Sequence, residues 1–199
     1  MNKYSQYNEE IFLMDYFKDR NGIVVEIGAA DGTTNSNSRR LIENGWRALL
    51  IEPNTNNFSK IKILHENNDS VKVENCGCSN ITERQTFFID QNDEFQQLST
   101  FNPKQVEKCK QMFSCEFKES VIDIIKTSEI FERYSIDKID FLSIDTESFD
   151  RNVLLGIDFS QVNIELICIE DKDAIDILIS NGYQFIYQTT GNLFFKKIK

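Results

Sequence analysis

Two carboxylates and two glycines follow a short apolar run in the stretch VVEIGAADGTTNSN, residues 24–37. They are Glu26, Gly28, Asp31 and Gly32. Such a stretch either makes a tight turn between a strand and a helix or shapes a turn that holds a cofactor. Nicotinamide enzymes use the spacing G-x-G-x-x-G to place a pyrophosphate on a helix N-terminus. Here a carboxylate stands just before the first glycine, where it would repel a pyrophosphate and suits an ammonium or sulfonium group.

A further carboxylate, Glu52, ends the next apolar run, about 20 residues after the glycines. In doubly wound folds an acid at this place accepts hydrogen bonds from ribose hydroxyls. Ammonium, sulfonium and ribose together describe S-adenosylmethionine, so the pattern predicts a pocket for this cofactor. We expect the pocket to be lined by Glu26, Gly28, Asp31, Gly32, Asn37, Glu52, Asn75, Cys76 and Asp145.

Three carboxylates stand where two later apolar runs end, namely Asp145, Glu170 and Asp171. If those runs are neighbouring strands, the carboxylates converge and can hold Mg²⁺ or Mn²⁺, which prefer oxygen ligands. A cation there would lower the pKa of an acceptor hydroxyl. In the alternative interpretation, Asp145 binds the ammonium group of the cofactor, while Glu170 and Asp171 cap the helix that follows.

Two more acids, Glu147 and Asp150, come directly after the same strand. They are candidates for a general base or for groups that position an acceptor, and helix capping is the alternative. The single histidine, His65, lies in a segment away from the predicted ligand edge. The sequence therefore favours a carboxylate or a metal-bound hydroxyl over a histidine base, and we predict Asp145, Glu147 and Asp150 as catalytic residues.

Strand and helix patterns alternate along the chain, which places these residues on a common edge. Short β-branched runs are typical of strands buried on both faces of a parallel sheet. The C-terminal segment carries a hairpin signal around Thr190, Gly191 and Asn192. The pattern predicts an α/β doubly wound, mostly parallel sheet with an antiparallel edge, whose ligands bind at the carboxyl ends of the central strands. The predicted buried strands are 23–27, 47–52, 139–145 and 163–171, and 71–79 is predicted to be a further strand with its exit loop. A helix is predicted over 36–45, with Ser36 or Asn37 near its N-cap.

The length of 199 residues suits one domain, and we expect 1–199 to be a single domain with an insertion or cap on the substrate side at about 91–120. The net charge of −10 makes free nucleic acid a poor partner. No apolar run approaches the roughly 20 residues of a membrane span, and the polar start lacks the features of a signal peptide. We therefore expect a cytoplasmic protein with a small-molecule or glycan acceptor, and a homodimer is compatible with the sequence.

Several of these segments resemble the FkbM-type family of S-adenosylmethionine-dependent methyltransferases. The matching pieces are Ser5-Gln6, VVEIGAADG (24–32), Ser36-Asn37-Ser38, GWRALLIEPN (45–54), ENCGCS (74–79), IDFLSIDTESFD (139–150), CIED (168–171) and GNLFF (191–195). The resemblance implies a seven-stranded, Rossmann-like class I methyltransferase sheet with an antiparallel C-terminal hairpin strand. It also implies methylation of hydroxyl oxygens on sugars or natural products. The family usually has glycine after the acid of its D-x-E motif, whereas Ser148 follows Glu147 here.

The sequence and the resemblance together predict an O-methyltransferase that uses S-adenosylmethionine and acts on a small polar acceptor, a sugar hydroxyl of a glycan or nucleotide-sugar. A nicotinamide-dependent oxidoreductase is the alternative of another enzymatic class, and the glycine spacing disfavours it. A methyltransferase-like domain that only binds a partner is the non-catalytic alternative. Acids at nearly every strand end argue against this second alternative.

Overall fold

A seven-stranded sheet organises the molecule, in a computed structural model that describes residues 3–92 and 96–198. The described residues form the strands β1 (Ile23–Ile27), β2 (Arg47–Ile51), β3 (Val71–Glu74), β4 (Gly77–Ser79), β5 (Glu83–Asp90), β6 (Phe117–Lys126), β7 (Lys138–Ile144), β8 (Asn163–Ile169), β9 (Tyr183–Gln188) and β10 (Leu193–Lys197). The strand order of the large sheet is β3-β2-β1-β7-β8-β10-β9. Strands β3, β2, β1, β7 and β8 run parallel, and β10 runs antiparallel to both of its neighbours. The predicted class I methyltransferase sheet is therefore confirmed.

Helices cover both faces of this sheet. They are α1 (Glu9–Phe17), α2 (Arg39–Glu43), α3 (Thr55–Leu64), α4 (Pro103–Phe113), α5 (Thr127–Arg133), α6 (Asp150–Leu155) and α7 (Ile175–Ser180), with a 3₁₀ turn at Lys172–Ala174. Alternate residues of each central strand point to opposite faces. Val24, Leu50 and Phe141 pack with residues of α1, α2 and α3, whereas Val25 and Leu142 pack with residues of α5, α6 and α7. The β-branched runs are thus buried on both faces, as their composition predicts.

The strand order reverses direction at β1, because β2 continues the sheet on one side of it and β7 on the other. In open α/β sheets the crevice at this switch point, outside the carboxyl ends of the strands, is where ligands bind. Register places Glu26 of β1 beside Leu50 of β2 and Ser143 of β7. The loops that follow β1, β2, β7 and β8 therefore converge at one edge.

A second sheet of three strands, in the order β4-β6-β5, lies between β3 and α5 in the chain. The segment 71–79, predicted as a strand and its exit loop, contains two strands: β3 joins the large sheet and β4 the small one, with Asn75 and Cys76 between them. The predicted insertion at 91–120 contains α4 and the start of β6, while its residues 93–95 lie outside the described residues. Within the described residues no helix combines the length and the apolar character needed to cross a bilayer.

The helix predicted over 36–45 is shorter than expected and begins at Arg39. The Ser36 hydroxyl accepts from the amide of Arg39, the first residue of the helix, at 3.1 Å and donates to the carboxylate of Glu26 at 2.9 Å. The Asn37 amide donates to the same carboxylate at 2.7 Å. Ser36 therefore lies near the start of the helix and satisfies one of its free amides, as predicted.

Candidate active site

Two adjoining cavities lie at the switch point and share the residues Gly28, Ala30, Gln97, Asp145 and Glu147. The apolar cavity, about 50 Å³, has phenylalanine rings and cysteine thiols among its lining side chains. The polar cavity, about 250 Å³, is lined by amides and carboxylates. Apolar-cavity residues include Ile27, Glu52, Cys76, Cys78, Phe87 and Phe101; polar-cavity residues include Gln6, Tyr7, Glu26, Asn37 and Glu170. Together the cavities form one elongated site with an apolar end and an acidic end.

The turn after β1 requires glycine at position 28. Gly28 has φ +86°, and its amide and that of Ala29 donate to the carbonyl oxygen of Ile51. A Cβ atom at this position would overlap the carbonyl oxygen of Asp145 at the end of β7. The backbone of the turn therefore lies directly against the neighbouring strand end, which lets a ligand approach the main chain closely.

Asp31 and Gly32 line neither cavity. The Asp31 carboxylate accepts hydrogen bonds from the amides of Thr33 and Thr34 and from the Thr34 hydroxyl, at 2.7–2.9 Å. Gly32 has φ +76° and faces Ile61 of α3. Both residues shape the loop rather than the cavity wall, as the tight-turn interpretation predicts.

Glu26 is buried and accepts four hydrogen bonds from the residues before α2. The donors are the hydroxyls of Ser36 and Ser38 and the amides of Asn37 and Ser38. Burial raises the pKa of Glu26, and these donors act against that rise. Glu26 lines the polar cavity but mainly holds the loop 36–38 in place, so that Asn37 also lines the cavity.

Glu52 lines the apolar cavity at the end of β2. Its carboxylate accepts hydrogen bonds from the amides of Ala30 at 2.8 Å and Asn54 at 2.7 Å. Burial is the main cause that raises the pKa of Glu52 to about 8. Because an ionised carboxylate has about four acceptor positions, two remain for hydroxyl donors from a ligand. Hydrogen bonds from ligand hydroxyls would favour the ionised form of the Glu52 carboxylate.

The two predicted residues after β3 have different surroundings. Asn75 lines neither cavity; its amide donates to the carbonyl oxygens of Glu52 and Pro53, at 2.8 and 3.1 Å, and so fixes the turn after β2. Cys76 is buried and lines the apolar cavity together with Cys78. Burial raises the pKa of Cys78 well above its usual value, so this thiol is an apolar wall and not a nucleophile.

Asp145, Glu147 and Glu170 form a cluster at the acidic end of the site, with carboxylate oxygens within 4.8 Å of one another. Burial, followed by the negative charge of Glu170, raises the pKa of Asp145 well above its usual value. The same two causes raise the pKa of Glu147 to about 8, and burial raises the pKa of Glu170. Like charges at this distance favour retention of protons or binding of a cation.

Asp150 and Asp171, predicted as a catalytic and a metal-binding residue, lie outside this cluster. Asp150 is fully buried and accepts from the hydroxyl and amide of Thr146 and from the amides of Glu170 and Asp171, at 2.7–3.1 Å. It thereby ties the end of β7 to the end of β8. The Asp171 carboxylate accepts from the amide of Asp173 at 2.9 Å and caps the 3₁₀ turn. The structure thus favours the capping alternative for Asp171, and Glu147 takes its place in the cluster.

The segment 96–102 crosses the site and was not among the predicted cofactor residues. The side chain of Gln97 accepts from Asn35 at 3.0 Å, and that of Gln96 accepts from Asn54 at 2.6 Å. Gln97 lines both cavities, and Phe101 closes the apolar one. The polar composition of residues 91–120 predicted only a cap near the acceptor. No pattern in the sequence indicates which loops residues 96–102 bridge. We call residues 96–102 the strap.

The strap also holds the turn that carries Glu147. Glu147 and Ser148 have φ +52° and +68°, a left-handed conformation that is unusual for side chains other than glycine and asparagine. The buried Thr100 hydroxyl donates to the carbonyl oxygen of Glu147 at 2.7 Å, and the Asn102 amide donates to that of Ser148 at 3.0 Å. The strained turn is therefore stabilised from outside its own segment.

A family model described as "Methyltransferase FkbM domain" matches residues 26–185. Among solved structures, the chain is similar to the FkbM methyltransferase from Methylobacillus flagellatus KT, with a TM-score of 0.59 and 14% identity. The match covers 97% of this chain and 48% of that protein, so the chain spans about half the length of this relative. No curated protein matches the sequence.

Two further structures share the fold at comparable similarity. A putative RNA methyltransferase from Pyrococcus horikoshii matches with a TM-score of 0.53 and 11% identity, over 100% of this chain and 88% of that one. Fibrillarin from Aeropyrum pernix, in complex with natively bound S-adenosyl-L-methionine, matches with a TM-score of 0.53 and 10% identity, over 95% of this chain and 75% of that one. At such identities these two likenesses concern the fold alone.

Proposed function

The chain belongs to the FkbM methyltransferase family, and from this premise we propose that it transfers a methyl group from S-adenosylmethionine to a hydroxyl oxygen of a small polar acceptor of the sugar class. The observation that carries the proposal is the two-part site at the switch point, with an apolar end beside Glu52 and an acidic end beside Asp145. Family membership also removes the reason to retain the nicotinamide alternative.

The cofactor is proposed to span both cavities. Its adenine enters the apolar cavity between Cys76 and Phe101, and its ribose hydroxyls donate to Glu52. At about 50 Å³ this cavity is smaller than the 300–1,000 Å³ of ordinary ligand sites, so the strap must shift to admit the base. The methionine part passes Gly28, and its positive groups lie near the carboxylate of Asp145.

The proposed reaction is an in-line displacement at the sulfonium methyl group. The acceptor oxygen forms a bond to the methyl carbon as the carbon–sulfur bond breaks, and the sulfur keeps the electron pair as the thioether of S-adenosylhomocysteine. The hydroxyl proton passes to a carboxylate, for which Glu147 is the candidate, since it lines both cavities. Holding donor and acceptor in this geometry supplies much of the rate enhancement. Asp150 is proposed to position the two strand ends and not to contact the reacting atoms.

A divalent cation suits the chemistry of the acidic cluster. Asp145, Glu147 and Glu170 offer three converging carboxylate oxygens, the ligand type that Mg²⁺ and Mn²⁺ prefer. When bound, such an ion would lower the pKa of the acceptor hydroxyl. The alternative is that Asp145 receives the ammonium group of the cofactor without any metal.

Calorimetric titration with S-adenosylhomocysteine and, in parallel, with NAD tests the proposal. We expect S-adenosylhomocysteine to bind with one site per chain and NAD to give no heat of binding. Binding of NAD alone would contradict the proposed cofactor. Binding of S-adenosylhomocysteine without methyl transfer to any acceptor would favour a domain that retains the fold but not the reaction.

A further inference from the structure

The strap, residues 96–102, meets the apolar cavity through one aromatic side chain. Phe101 is 5% exposed and lines this cavity. Its ring lies 4.5 Å from that of Phe87 and 5.5 Å from that of Phe149, measured between ring centroids. A Cβ atom on Gly77 would lie only 2.7 Å from the same ring. Because the surroundings are closely packed, the cavity cannot widen on this side unless the Phe101 ring moves.

The residues on either side of Phe101 hold the turn after β7. The Thr100 hydroxyl donates to the carbonyl oxygen of Glu147 at 2.7 Å, and the Asn102 side-chain amide donates to that of Ser148 at 3.0 Å. Consecutive Cα atoms are about 3.8 Å apart along a chain, so a displaced Phe101 displaces both donors with it. The ring that closes the cavity and the groups that hold the turn therefore belong to one short segment.

The first turn of α4 continues this contact. The Asn102 side chain accepts from the amide of Lys104 at 3.0 Å and so caps the helix. The Gln105 side chain donates to the carboxylate of Glu147 at 3.4 Å, and the Ser148 hydroxyl donates to Gln105 at 3.3 Å. Among the described residues, no other side chain donates to the Glu147 carboxylate. The strap and the start of α4 thus hold both the main chain and the side chain of Glu147.

We propose that the position of Glu147 depends on the adenine of the cofactor: adenine displaces the Phe101 ring on entry, and the strap moves the Glu147 turn with it. This inference rests on the proposed function and deepens it, because it states how the methyl donor regulates the proton acceptor of the same site. A ligand shifts such an equilibrium only when it interacts differently with the two arrangements. Adenine meets this condition, since the cavity of about 50 Å³ admits it only after the ring has moved.

The turn follows the strap because the bonds between them are costly to break. Thr100 is 1% exposed, so a broken bond would leave a buried hydroxyl and a carbonyl oxygen unpaired. Glu147 and Ser148 also need support from outside their own segment, since their φ angles of +52° and +68° are left-handed. The start of the strap, at Gln96, has a left-handed φ of +54° as well, and such segment ends absorb the rotation when a loop moves.

This coupling sets the order in which the ligands bind. With the cofactor in place, Glu147 takes the position in which it accepts the proton of the acceptor hydroxyl. The acceptor therefore binds productively only after the cofactor, and its hydroxyl loses the proton only where a methyl group is available.

Adenosine separates the two parts of the site, because it has the adenine and ribose of the cofactor and lacks the methionine part. It is titrated into isotopically labelled protein, in parallel with S-adenosylhomocysteine, and the backbone amide signals are followed by NMR. Ser148 and Gln105 serve as reporters, since neither residue lines a cavity. We expect both ligands to shift the signals of these two reporters together with that of Phe101.

The titrations separate failure of the inference from failure of the proposed function. Bound adenosine that shifts the Phe101 signal but leaves Ser148 and Gln105 unchanged would overturn the inference and leave the cofactor assignment intact. Reporter shifts with S-adenosylhomocysteine but not with bound adenosine would also overturn it, because the methionine part would then move the turn directly. If neither ligand shifted any signal, the proposed cofactor would fail, and the inference would fail with it.

Substitutions of Thr100 test the route from the ring to the turn. Thr100→Val keeps the size of the side chain but removes the hydroxyl. S-adenosylhomocysteine should still shift the Phe101 signal in this variant, whereas the shift of the Ser148 amide, which shares a peptide group with the Glu147 carbonyl, should shrink. Thr100→Ser keeps the hydroxyl and should give the native shifts. Equal Ser148 shifts in Thr100→Val and the native protein would overturn the inference, and the dispersion of the amide signals verifies that each variant is folded.

Discussion

At the scale of single residues, Glu52 is the most direct test of the cofactor assignment. Replacing Glu52 with Ala should weaken binding of S-adenosylhomocysteine at least tenfold, since hydrogen bonds to a charged group contribute about 1.5–3 kcal/mol. Glu52→Gln is the matched control, because it keeps one oxygen acceptor and should lose less affinity. Calorimetry measures both. Unchanged affinity in Glu52→Ala would remove Glu52 from the ribose site.

The acidic cluster gives a second prediction at this scale. If Asp145, Glu147 and Glu170 hold a divalent cation, activity should vanish in EDTA and return with added Mg²⁺ or Mn²⁺. Asp145→Asn should lower turnover sharply while the protein remains folded, as circular dichroism can verify. Full activity of dialysed protein in EDTA would reject the metal and leave Glu147 as the base, with Asp145 as a cofactor ligand.

Gly28 provides a prediction about the backbone, with a control inside the same chain. Gly28 and Gly45 both have φ +86°, but only a Cβ on Gly28 would overlap another strand, whereas nothing lies within 4 Å of a Cβ on Gly45. Gly45→Ala should lower the free energy of unfolding by about 1–2 kcal/mol, the cost of the left-handed conformation. Gly28→Ala should cost about 1–3 kcal/mol more, from overpacking. Denaturant titration compares the two, and equal losses would contradict the close approach of β1 and β7.

At the scale of elements, the strap and the Glu147 turn act as a pair. Thr100→Val keeps the shape of the side chain but removes the hydroxyl that binds the Glu147 carbonyl, so it should cost about 1–3 kcal/mol of stability. Turnover should fall as well, because the turn carries the proposed base. Thr100→Ser keeps the hydroxyl and should be close to native in both measurements. If Thr100→Val matched Thr100→Ser, the strap would not be what holds the turn.

The central strands could be predicted from the sequence because strands that are buried on both faces consist of continuous runs of apolar, often β-branched residues. IVVEI and RALLIE read directly as β1 and β2, and their ends place Glu26 and Glu52 at the switch point. Gly28 could be predicted for the same reason, since a glycine at a strand end indicates close approach of the backbone. These elements carry the part of the site that we propose for the cofactor.

The strand β6 and the strap could not be predicted in the same way. Residues 117–126 lie in a small sheet with much of their surface exposed, so hydrophobic alternation is weak. The strap makes hydrogen bonds to the side chains of Asn35 and Asn54 and to the carbonyl oxygen of Glu147, and such long-range pairs leave no local pattern. Residues 93–95 of the predicted insertion lie outside the described residues.

The individual roles of the carboxylates were also beyond sequence reasoning. Asp31, Asp150 and Asp171 satisfy backbone amides, while Glu147 joins Asp145 in the cluster. A carboxylate beside a strand end can do either, because capping and ligand binding demand the same residue types. Only the interatomic distances in the structure distinguish a capping carboxylate from one that is available to a ligand.

At the scale of the whole molecule, the cap on the substrate side stays a prediction, and the strap extends it towards the proposed cofactor site. The strap, inside the segment 91–120, lines the apolar cavity as well as the polar one. Phe101 also belongs to the hydrophobic core. We therefore propose that residues 1–199 form a single domain. Removal of the segment 91–120 should then impair cofactor binding together with acceptor binding.

The overall charge gives a prediction at the same scale. S-adenosylmethionine carries a positive sulfonium, whereas S-adenosylhomocysteine has a neutral thioether, and the site faces both with carboxylates. Salt screens such attractions over a Debye length of about 8 Å at physiological ionic strength. The Kd of S-adenosylmethionine should therefore rise more steeply with added NaCl than that of S-adenosylhomocysteine. Calorimetry at low and high salt measures both, and equal slopes would contradict the electrostatic role of the cavity.

The carboxylates around the polar cavity thus bear on how the enzyme would recover after each cycle. If the proposed reaction occurs, methyl transfer removes the positive charge that these side chains attract, and we expect S-adenosylhomocysteine to be held less tightly than S-adenosylmethionine. Product inhibition is common in enzymes whose product closely resembles the donor. The loss of the sulfonium charge on methyl transfer would relieve it. Replacement of S-adenosylhomocysteine by S-adenosylmethionine would then need no separate structural element that releases the product.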